Sequence, residues 1–251
     1  MIRLAVCIPV YGDTKAKFTL SLVNAVTHFL GCRMVDTDGA AVGREVEVFM
    51  VSGSLITEAR NRLFAEAFVW GATHILWLDA DHVFPADTIP RLLAHGLDAV
   101  GCNYSRRCSP TAPTAAKTVT TGEDYKNLVY TTHDKAVAGE IEEVDSMGLG
   151  VCLLNMRVVE MLQDHADKAD GNFMPLFDLR VTEGKLGVVG EDVYFFRKVR
   201  AAGGKVWVDH GLSWEVGHIC DQILTNAHAE RQRDKWIEFE ARKGDKFKVA
   251  A

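Results

Sequence analysis

The chain has 251 residues, of which 48% are hydrophobic and 25% charged, a composition typical of a globular protein able to bury one α/β core. Its net charge of −6 argues against a generally basic surface, and so against broad attraction to nucleic acid or anionic lipid. No apolar run approaches the roughly 18 residues that span a bilayer, and the six cysteines form no Cys-x-x-Cys pair. We therefore expect a cytoplasmic protein with reduced thiols and no transmembrane segment.

Strands and helices are predicted to alternate along the first hundred residues. Short apolar runs, typical of buried parallel strands, predict strands at 3–9, 45–51, 73–78 and 98–102. Helical spacing of apolar residues predicts helices at 15–31, 54–70 and 86–95. This alternation indicates an α/β fold with a mostly parallel central sheet and helices on both faces.

The second half of the chain is less regular. Residues 103–146 are rich in Ser, Thr, Pro, Gly and charge, with at most a hairpin at 126–131, and long segments of this kind are usually functional loops. We expect one domain over 1–219, with 103–146 as an irregular excursion, followed by a helical tail at 220–251. Within that domain, the pattern predicts helices at 157–165 and 191–202, an irregular stretch at 170–189 and a strand at 205–208.

Two carboxylates, Asp79 and Asp81, follow directly on an apolar strand. Open α/β sheets bind ligands at the carboxyl ends of their strands, which is where these side chains fall. Two carboxylates placed together repel unless a cation or hydrogen-bond donors compensate them. A hard divalent cation, Mn²⁺ or Mg²⁺, with substrate phosphates in its shell would do so. The same residues also fit a solvated turn in which Asp79 caps the next segment.

Five motifs, in one order along the chain, resemble those of GT-A glycosyltransferases. The resemblance is to the glycosyltransferase family 2-like group and the Anp1-like mannosyltransferases, of bacterial or phage type, and it thins between 103 and 146. The motifs lie at 7–11, 56–61, 75–81, 190–192 and 216–218. The resemblance implies the Rossmann-like GT-A fold of nucleotide-diphospho-sugar transferases, in the host cytoplasm if a phage encodes it. It also implies a metal-dependent enzyme that moves a sugar from a UDP- or GDP-sugar to a hydroxyl acceptor.

Four residues besides Asp79 are candidates for nucleotide-sugar binding, and the resemblance implies this role for three of them. Pro9 and Tyr11 would hold the nucleobase, Tyr11 by stacking, although a tyrosine at the edge of the core is an equally ordinary reading. Arg60 would pair with the pyrophosphate, or else lie on a polar helix face. Gly148 follows from its own Gly-x-Gly pattern at 148–150: it would let the sugar or acceptor approach the backbone closely, or else form a plain turn.

The metal ligands implied by the resemblance are Asp81, His218 and Asp79. Asp79 would hold the metal's water shell or the ribose, and so also counts among the nucleotide-sugar-binding residues. His210 is the alternative to His218, because a lone histidine is often structural. His82 follows the acidic pair and would touch the phosphates, or would simply be polar at the start of a turn.

The resemblance places the acceptor chemistry at Glu191 and Asp192. Asp192, with Glu191 as the alternate, would deprotonate the acceptor hydroxyl and invert the anomeric centre, whereas Anp1-like relatives retain configuration. Acidic residues in a first helical turn also simply complement the helix dipole. Arg106 and Arg107, in the excursion on the acceptor side, would bind the diphosphate or an anionic acceptor, or form a solvated pair.

Two alternative functions are disfavoured by the sequence, and the acceptor is unresolved. A nucleotidyltransferase is disfavoured, because residues 9–13 lack the basic phosphate loop expected after its first strand. A non-catalytic nucleotide-sugar-binding domain is disfavoured by the intact acidic and histidine motifs. The acceptor would be a glycan, a protein or a hydroxymethylated DNA base, and the acidic net charge argues mildly against DNA.

Overall fold

The structure is a computed structural model that describes residues 1–35, 38–118, 126–162, 176–181, 188–220 and 223–246. The strands in these residues are β1 (Ile2–Val10), β2 (Arg44–Ser52), β3 (His74–Leu78), β4 (His82–Val83), β5 (Ala99–Gly101), β6 (Ala116–Thr118), β7 (Lys126–Leu128), β8 (Ile141–Val144), β9 (Val151–Asn155), β10 (Arg180–Val181), β11 (Val188–Val189), β12 (Val206–Asp209), β13 (Gly217–Ile219) and β14 (Ile223–Leu224). The helices are α1 (Ala16–Gly31), α2 (Ile56–Trp70), α3 (Thr88–Ala94), α4 (His133–Ala138), α5 (Arg157–Leu162), α6 (Glu191–Ala201), α7 (His210–Glu215), α8 (Asn226–Arg231) and α9 (Arg233–Lys246).

A seven-stranded sheet forms the centre of the molecule, in the order β2-β1-β3-β9-β5-β12-β8. β1 pairs in parallel with β2 and β3, and β5 pairs in parallel with β12. β9 runs antiparallel between β3 and β5, and β8 runs antiparallel at the edge beside β12. Five of the seven strands therefore point the same way, which confirms the predicted mostly parallel α/β sheet.

Both faces of the sheet are buried along central strands such as β1, β3 and β9, which explains why these strands are nearly continuously apolar. Along β1, Leu4, Val6 and Ile8 belong to one core cluster, whereas Ala5 and Cys7 belong to the other. Helices α1, α3 and α7 contribute to the first cluster, and α2, α5 and α6 contribute to the second. The predicted helices on both faces are therefore confirmed.

Residues 103–146 contain more regular structure than the sequence predicts. The hairpin is present as β6 and β7, which pair from Ala116↔Leu128 to Thr118↔Lys126. The expectation of irregular chain is wrong for 133–144, because α4 and β8 form there and β8 completes one edge of the main sheet. The sequence of β8, Ile-Glu-Glu-Val, lacks a recognisable strand pattern, because an edge strand tolerates charged side chains that reach solvent.

Other differences are at the ends of elements and in the tail. The tail forms two helices, α8 and α9, rather than one, and β14 precedes them. In the predicted irregular stretch 170–189, the described residues include a short antiparallel pair, β10 and β11. The end of the predicted helix at 157–165 and most of 170–189 lie outside the described residues. Among the helices that the structure describes, none has the length and apolar character to cross a bilayer.

Candidate active site

A cavity of about 430 Å³ opens at the carboxyl ends of β1 and β3. Its volume is within the range of small-molecule sites. Six of the residues that the sequence singled out line it, together with Lys15, which the sequence did not single out. The predicted residues that line the cavity are Pro9, Tyr11, Asp79, Asp81, Arg107 and His218.

A short sheet brings His218 to the acidic pair. β13 pairs antiparallel with β4, so that His218 is opposite His82. The Ile219 amide also donates to the Asp81 carbonyl oxygen at 2.7 Å. Pairing of β4 with β13 therefore joins two parts of the chain that are far apart in sequence and delivers two imidazoles to one carboxylate.

Asp81, His82 and His218 form a group whose ligand atoms lie within 4.8 Å of one another. Asp81 Oδ2 is 3.4 Å from His218 Nε2, and Asp81 Oδ1 is 3.2 Å from His82 Nδ1. The two imidazole rings stack with centroids 4.3 Å apart and planes at 18°. One carboxylate with two imidazoles is a donor set that can hold a divalent metal ion.

The orientation of His218 is fixed by the backbone. Its Nδ1 lies 2.9 Å from the Ser105 carbonyl oxygen, which can only accept a hydrogen bond, so Nδ1 carries a proton. The other ring nitrogen, Nε2, then faces the Asp81 carboxylate at 3.4 Å from Oδ2. The guanidinium of Arg107 also contacts this carboxylate, with Nη1 3.0 Å from the same Oδ2. A metal-binding histidine is oriented in this way when its other nitrogen donates to a carbonyl.

The surroundings of Asp81 favour its ionised form. Burial raises the pKa of this carboxyl, but the imidazoles of His218 and His82 outweigh burial and hold the pKa well below its usual range. Both ring nitrogens of His82 are buried: Nδ1 lies 3.2 Å from Asp81 Oδ1 outside hydrogen-bond geometry, and Nε2 has no hydrogen-bond partner within the described part of the chain. Buried nitrogens without hydrogen bonds are costly, and a cation bound beside Asp81 would satisfy Nδ1. The residues present therefore fit a metal ion.

Asp79 has a different partner from Asp81. Its Oδ1 accepts from Arg60 Nη2 at 2.9 Å, and Arg60 Nε lies 3.3 Å from Glu191 Oε1. Asp79 is outside the group formed by Asp81, His82 and His218. The predicted roles of Asp79 toward the metal and the ribose stay predictions, while its observed partner is the guanidinium.

Arg60 is buried, with 2% of its surface exposed, and it does not line the cavity. Its guanidinium carbon lies 5.4 Å from the centre of the Trp77 ring. Burial lowers the pKa of Arg60, but Asp79 and Glu191 outweigh burial and raise it above its usual value. The observed geometry joins Arg60 to two carboxylates, and the predicted contact with pyrophosphate stays a prediction.

Gly148 lies against Tyr104. A Cβ atom at Gly148 would lie 2.1 Å from the Tyr104 hydroxyl oxygen, and this hydroxyl accepts from the Gly150 amide at 3.1 Å. The Tyr104 ring in turn packs edge-on against His82, with centroids 4.2 Å apart. The close approach at Gly148 is therefore made by a residue of the chain itself, and the predicted contact with a sugar stays a prediction.

Glu191 and Asp192 begin helix α6, whose N-cap is Gly190. Asp192 Oδ1 accepts from the Val193 amide at 2.6 Å, as expected for a carboxylate in a first helical turn. Glu191 is bound by Arg60, as described above. The structure thus connects the start of α6 to Asp79 through one side chain.

His210 and Asn61 lie away from the group formed by Asp81, His82 and His218. His210 Nδ1 is 2.8 Å from the Thr131 hydroxyl, and His210 Nε2 is 3.1 Å from Glu142 Oε2, so His218 rather than His210 is near Asp81. The resemblance implies that Asn61 faces the nucleotide. Its amide instead bonds to the backbone of residues 176–177, accepting from two amides and donating to one carbonyl.

Comparisons with known proteins identify the fold. No protein-family model and no curated protein matches this sequence. Solved structures do match: A197 from STIV superposes with a TM-score of 0.51 and 16% identity, over 90% of this chain and 94% of that one. GalNAc-T7 with UDP, GalNAc and Mn²⁺ superposes with a TM-score of 0.50 and 13% identity, over 88% of this chain and 44% of that chain. The protein therefore has a GT-A-like α/β fold.

Proposed function

We propose that the protein is a metal-dependent glycosyltransferase that moves a sugar from a UDP- or GDP-sugar to a hydroxyl acceptor. The observation that carries the proposal is the group of Asp81, His82 and His218 at a cavity of about 430 Å³, on the carboxyl edge of a GT-A-like sheet. The similar fold of GalNAc-T7, solved with UDP, GalNAc and Mn²⁺, supports a nucleotide-sugar donor.

The donor would occupy the cavity. Asp81, His218 and His82 would hold the divalent cation, which supplies Lewis-acid stabilisation of the diphosphate leaving group. Tyr11, 85% exposed at the mouth, offers its ring to a nucleobase, with Pro9 beside it. Lys15 lines the same cavity and would pair with a phosphate oxygen.

The acceptor would be activated at the start of α6. Asp192 would take the proton of the acceptor hydroxyl as it attacks the anomeric carbon, with inversion. Glu191, whose Oε1 lies 3.3 Å from Arg60 Nε, would position the start of α6 or serve as the alternate base. Asp79 would share that guanidinium and hold the ribose or the water shell of the metal.

The catalytic domain would span 1–219. The tail from 220 would pack against this domain and stabilise the start of the 103–146 excursion. Ser105 donates to the Thr225 carbonyl at 2.8 Å, and the Thr111 amide donates to Gln232 Oε1 at 3.0 Å. These contacts attach the start of the 103–146 excursion to the tail, beside the cavity. We infer that the tail is needed to hold this edge of the site.

Thermal unfolding and nucleotide-sugar hydrolysis test the proposal. We expect Mn²⁺ together with a UDP- or GDP-sugar to raise the melting temperature, because a ligand that binds only the folded state stabilises it. Asp81→Ala should abolish this rise and the hydrolysis. Asp134→Asn, which changes an exposed carboxylate on α4, should preserve both.

His218→Ala and His210→Ala form a second matched pair. His218→Ala should weaken Mn²⁺ binding by roughly 10- to 100-fold, whereas His210→Ala should leave Mn²⁺ binding unchanged although it removes a buried hydrogen-bonded ring. Wild-type protein that binds no UDP- or GDP-sugar with Mn²⁺, or Asp81→Ala protein that still hydrolyses one, would contradict the proposed function.

A further inference from the structure

A cation of the chain lies on the proposed metal ligand. Arg107 Nη1 is 3.0 Å from Asp81 Oδ2, and this same oxygen lies 3.4 Å from His218 Nε2. Arg107 comes from the excursion, and about half of its side chain, 51%, is exposed. Its guanidinium therefore neutralises Asp81 from the solvent side of the cavity.

The guanidinium and a divalent cation compete for one carboxylate. A cation held by Asp81 and His218 would lie within a few ångströms of the guanidinium, and like charges at that distance repel strongly. This repulsion favours departure of Arg107 from Asp81 when the metal binds. This movement costs little free energy, because the side chain is exposed and is not packed in the core.

The loop that carries Arg107 is fixed at its base and exposed at its tip. Ser105 and Pro113 form a β-bridge, and the Arg106 amide donates to the Ala112 carbonyl at 2.8 Å. The residues at 107–109 are exposed. Arg107 lines the same cavity as Lys15, so a short rotation away from Asp81 keeps its charge inside the cavity.

We propose that Arg107 exchanges partners during donor binding: it is the counter-ion of Asp81 in the free protein and the ligand of the donor diphosphate in the complex. This inference rests on the proposed function. Arg107 then lowers the affinity for the metal when no nucleotide is bound. It raises the affinity for the nucleotide when the metal is present. Metal and nucleotide therefore bind with positive coupling, because the nucleotide removes the cation that competes with the metal.

The test uses Arg107→Gln in the full chain, with Arg62→Gln as the matched control. Arg62 is an exposed arginine paired with Glu66 on α2, so its replacement also removes one charge from an ion pair. Mn²⁺ binding without nucleotide is measured from the electron paramagnetic resonance signal of free Mn²⁺. Binding of UDP and GDP at saturating Mn²⁺ is measured by titration calorimetry.

We expect Arg107→Gln to change the two affinities in opposite directions. Mn²⁺ alone should bind roughly tenfold more tightly, because its competitor is gone, and the nucleotide should bind roughly tenfold more weakly, because a charge-assisted contact is lost. Arg62→Gln should change neither affinity. A simple structural defect would weaken both ligands, so the opposite signs separate the exchange from misfolding.

The outcomes distinguish the two proposals. If wild-type protein binds Mn²⁺ and a nucleotide, but Arg107→Gln leaves either affinity unchanged or shifts both in one direction, the exchange is wrong and the proposed function stands. If wild-type protein binds neither UDP nor GDP in the presence of Mn²⁺, the proposed function fails and the exchange fails with it.

Discussion

Arg60 Nη2 donates to Asp79 Oδ1 at 2.9 Å from a position that is almost fully buried. The other edge of the guanidinium reaches Glu191, at 3.3 Å from Nε. One planar side chain thus fixes the spacing between the carboxyl end of β3 and the start of α6. Lysine has a single ammonium group and cannot hold two carboxylates in this fixed geometry.

Replacement of Arg60 should lower the free energy of unfolding for this reason. Arg60→Ala leaves two carboxylates without their shared cation, and we expect the free energy of unfolding to fall by about 2–4 kcal/mol, since breaking a buried ion pair typically costs this much or more. Arg62→Ala, two residues away on the same helix, breaks only an exposed pair and should cost less than about 1 kcal/mol. Urea denaturation followed by circular dichroism gives both values. Equal losses in the two variants would show that Arg60 does not join the two carboxylates energetically.

The sequence predicts those parts of the fold that depend on local pattern. β1 and β3 are recognisable because both faces of the sheet are buried, so their residues are apolar without alternation. The acidic residues Asp79 and Asp81 are recognisable as a site because they end such a strand. β4 is not recognisable, because two residues have no periodicity. The inclusion of His82 in the metal group depends on that strand's pairing with β13 and so could not be derived from spacing.

Contacts between distant segments explain the remaining differences. Arg60 has the residue type expected of a phosphate ligand, yet its burial follows from α2 packing against the sheet and is not encoded in the motif. Arg107 lies in a polar stretch where a solvated arginine is the ordinary expectation, and only the fold brings it to Asp81. A glycine at position 148 indicates that another group approaches the backbone closely, but the sequence does not predict that this group is the Tyr104 side chain.

Gly148→Ala tests the close approach between Gly148 and Tyr104. The added methyl group would lie 2.1 Å from the Tyr104 hydroxyl oxygen, in a buried region where neither backbone nor ring can easily move. We expect a loss of about 2 kcal/mol or more in the free energy of unfolding, as for overpacked cores. Since Tyr104 packs against His82 and His218, the affinity for Mn²⁺ should fall as well.

A matched control for this variant is available on α1. Gly31→Ala adds the same methyl group where no atom lies within 4 Å, and it should be neutral or slightly stabilising. Denaturant titrations of the two variants and of Gly148→Ala/Tyr104→Phe complete the comparison. The double variant should recover part of the loss, because it removes the atom with the shortest contact. A Gly148→Ala protein as stable as Gly31→Ala would show that the contact carries no cost.

The ion-pair network around Glu142 should make stability depend on pH. Burial raises the pKa of Glu142, but hydrogen bonds from Lys117 and Lys135 outweigh burial and lower the pKa from 4.5 to about 2. The unfolded chain therefore binds a proton at this carboxyl before the folded protein does. The stability from Glu142 is fully present above about pH 4.5 and is lost as the pH falls toward about 2.

Glu142→Gln should remove this pH dependence while keeping the shape of the side chain. Between pH 5 and pH 2.5, the free energy of unfolding should decline less steeply in the variant than in the wild type, so that the two proteins converge in acid. Glu143→Gln, on the same strand but in an exposed pair with Lys205, should keep the wild-type slope. Urea titrations at several pH values measure these slopes. Parallel curves for wild type and Glu142→Gln would mean that the two lysines do not hold the Glu142 carboxylate, and that its pKa is the same in the folded and unfolded protein.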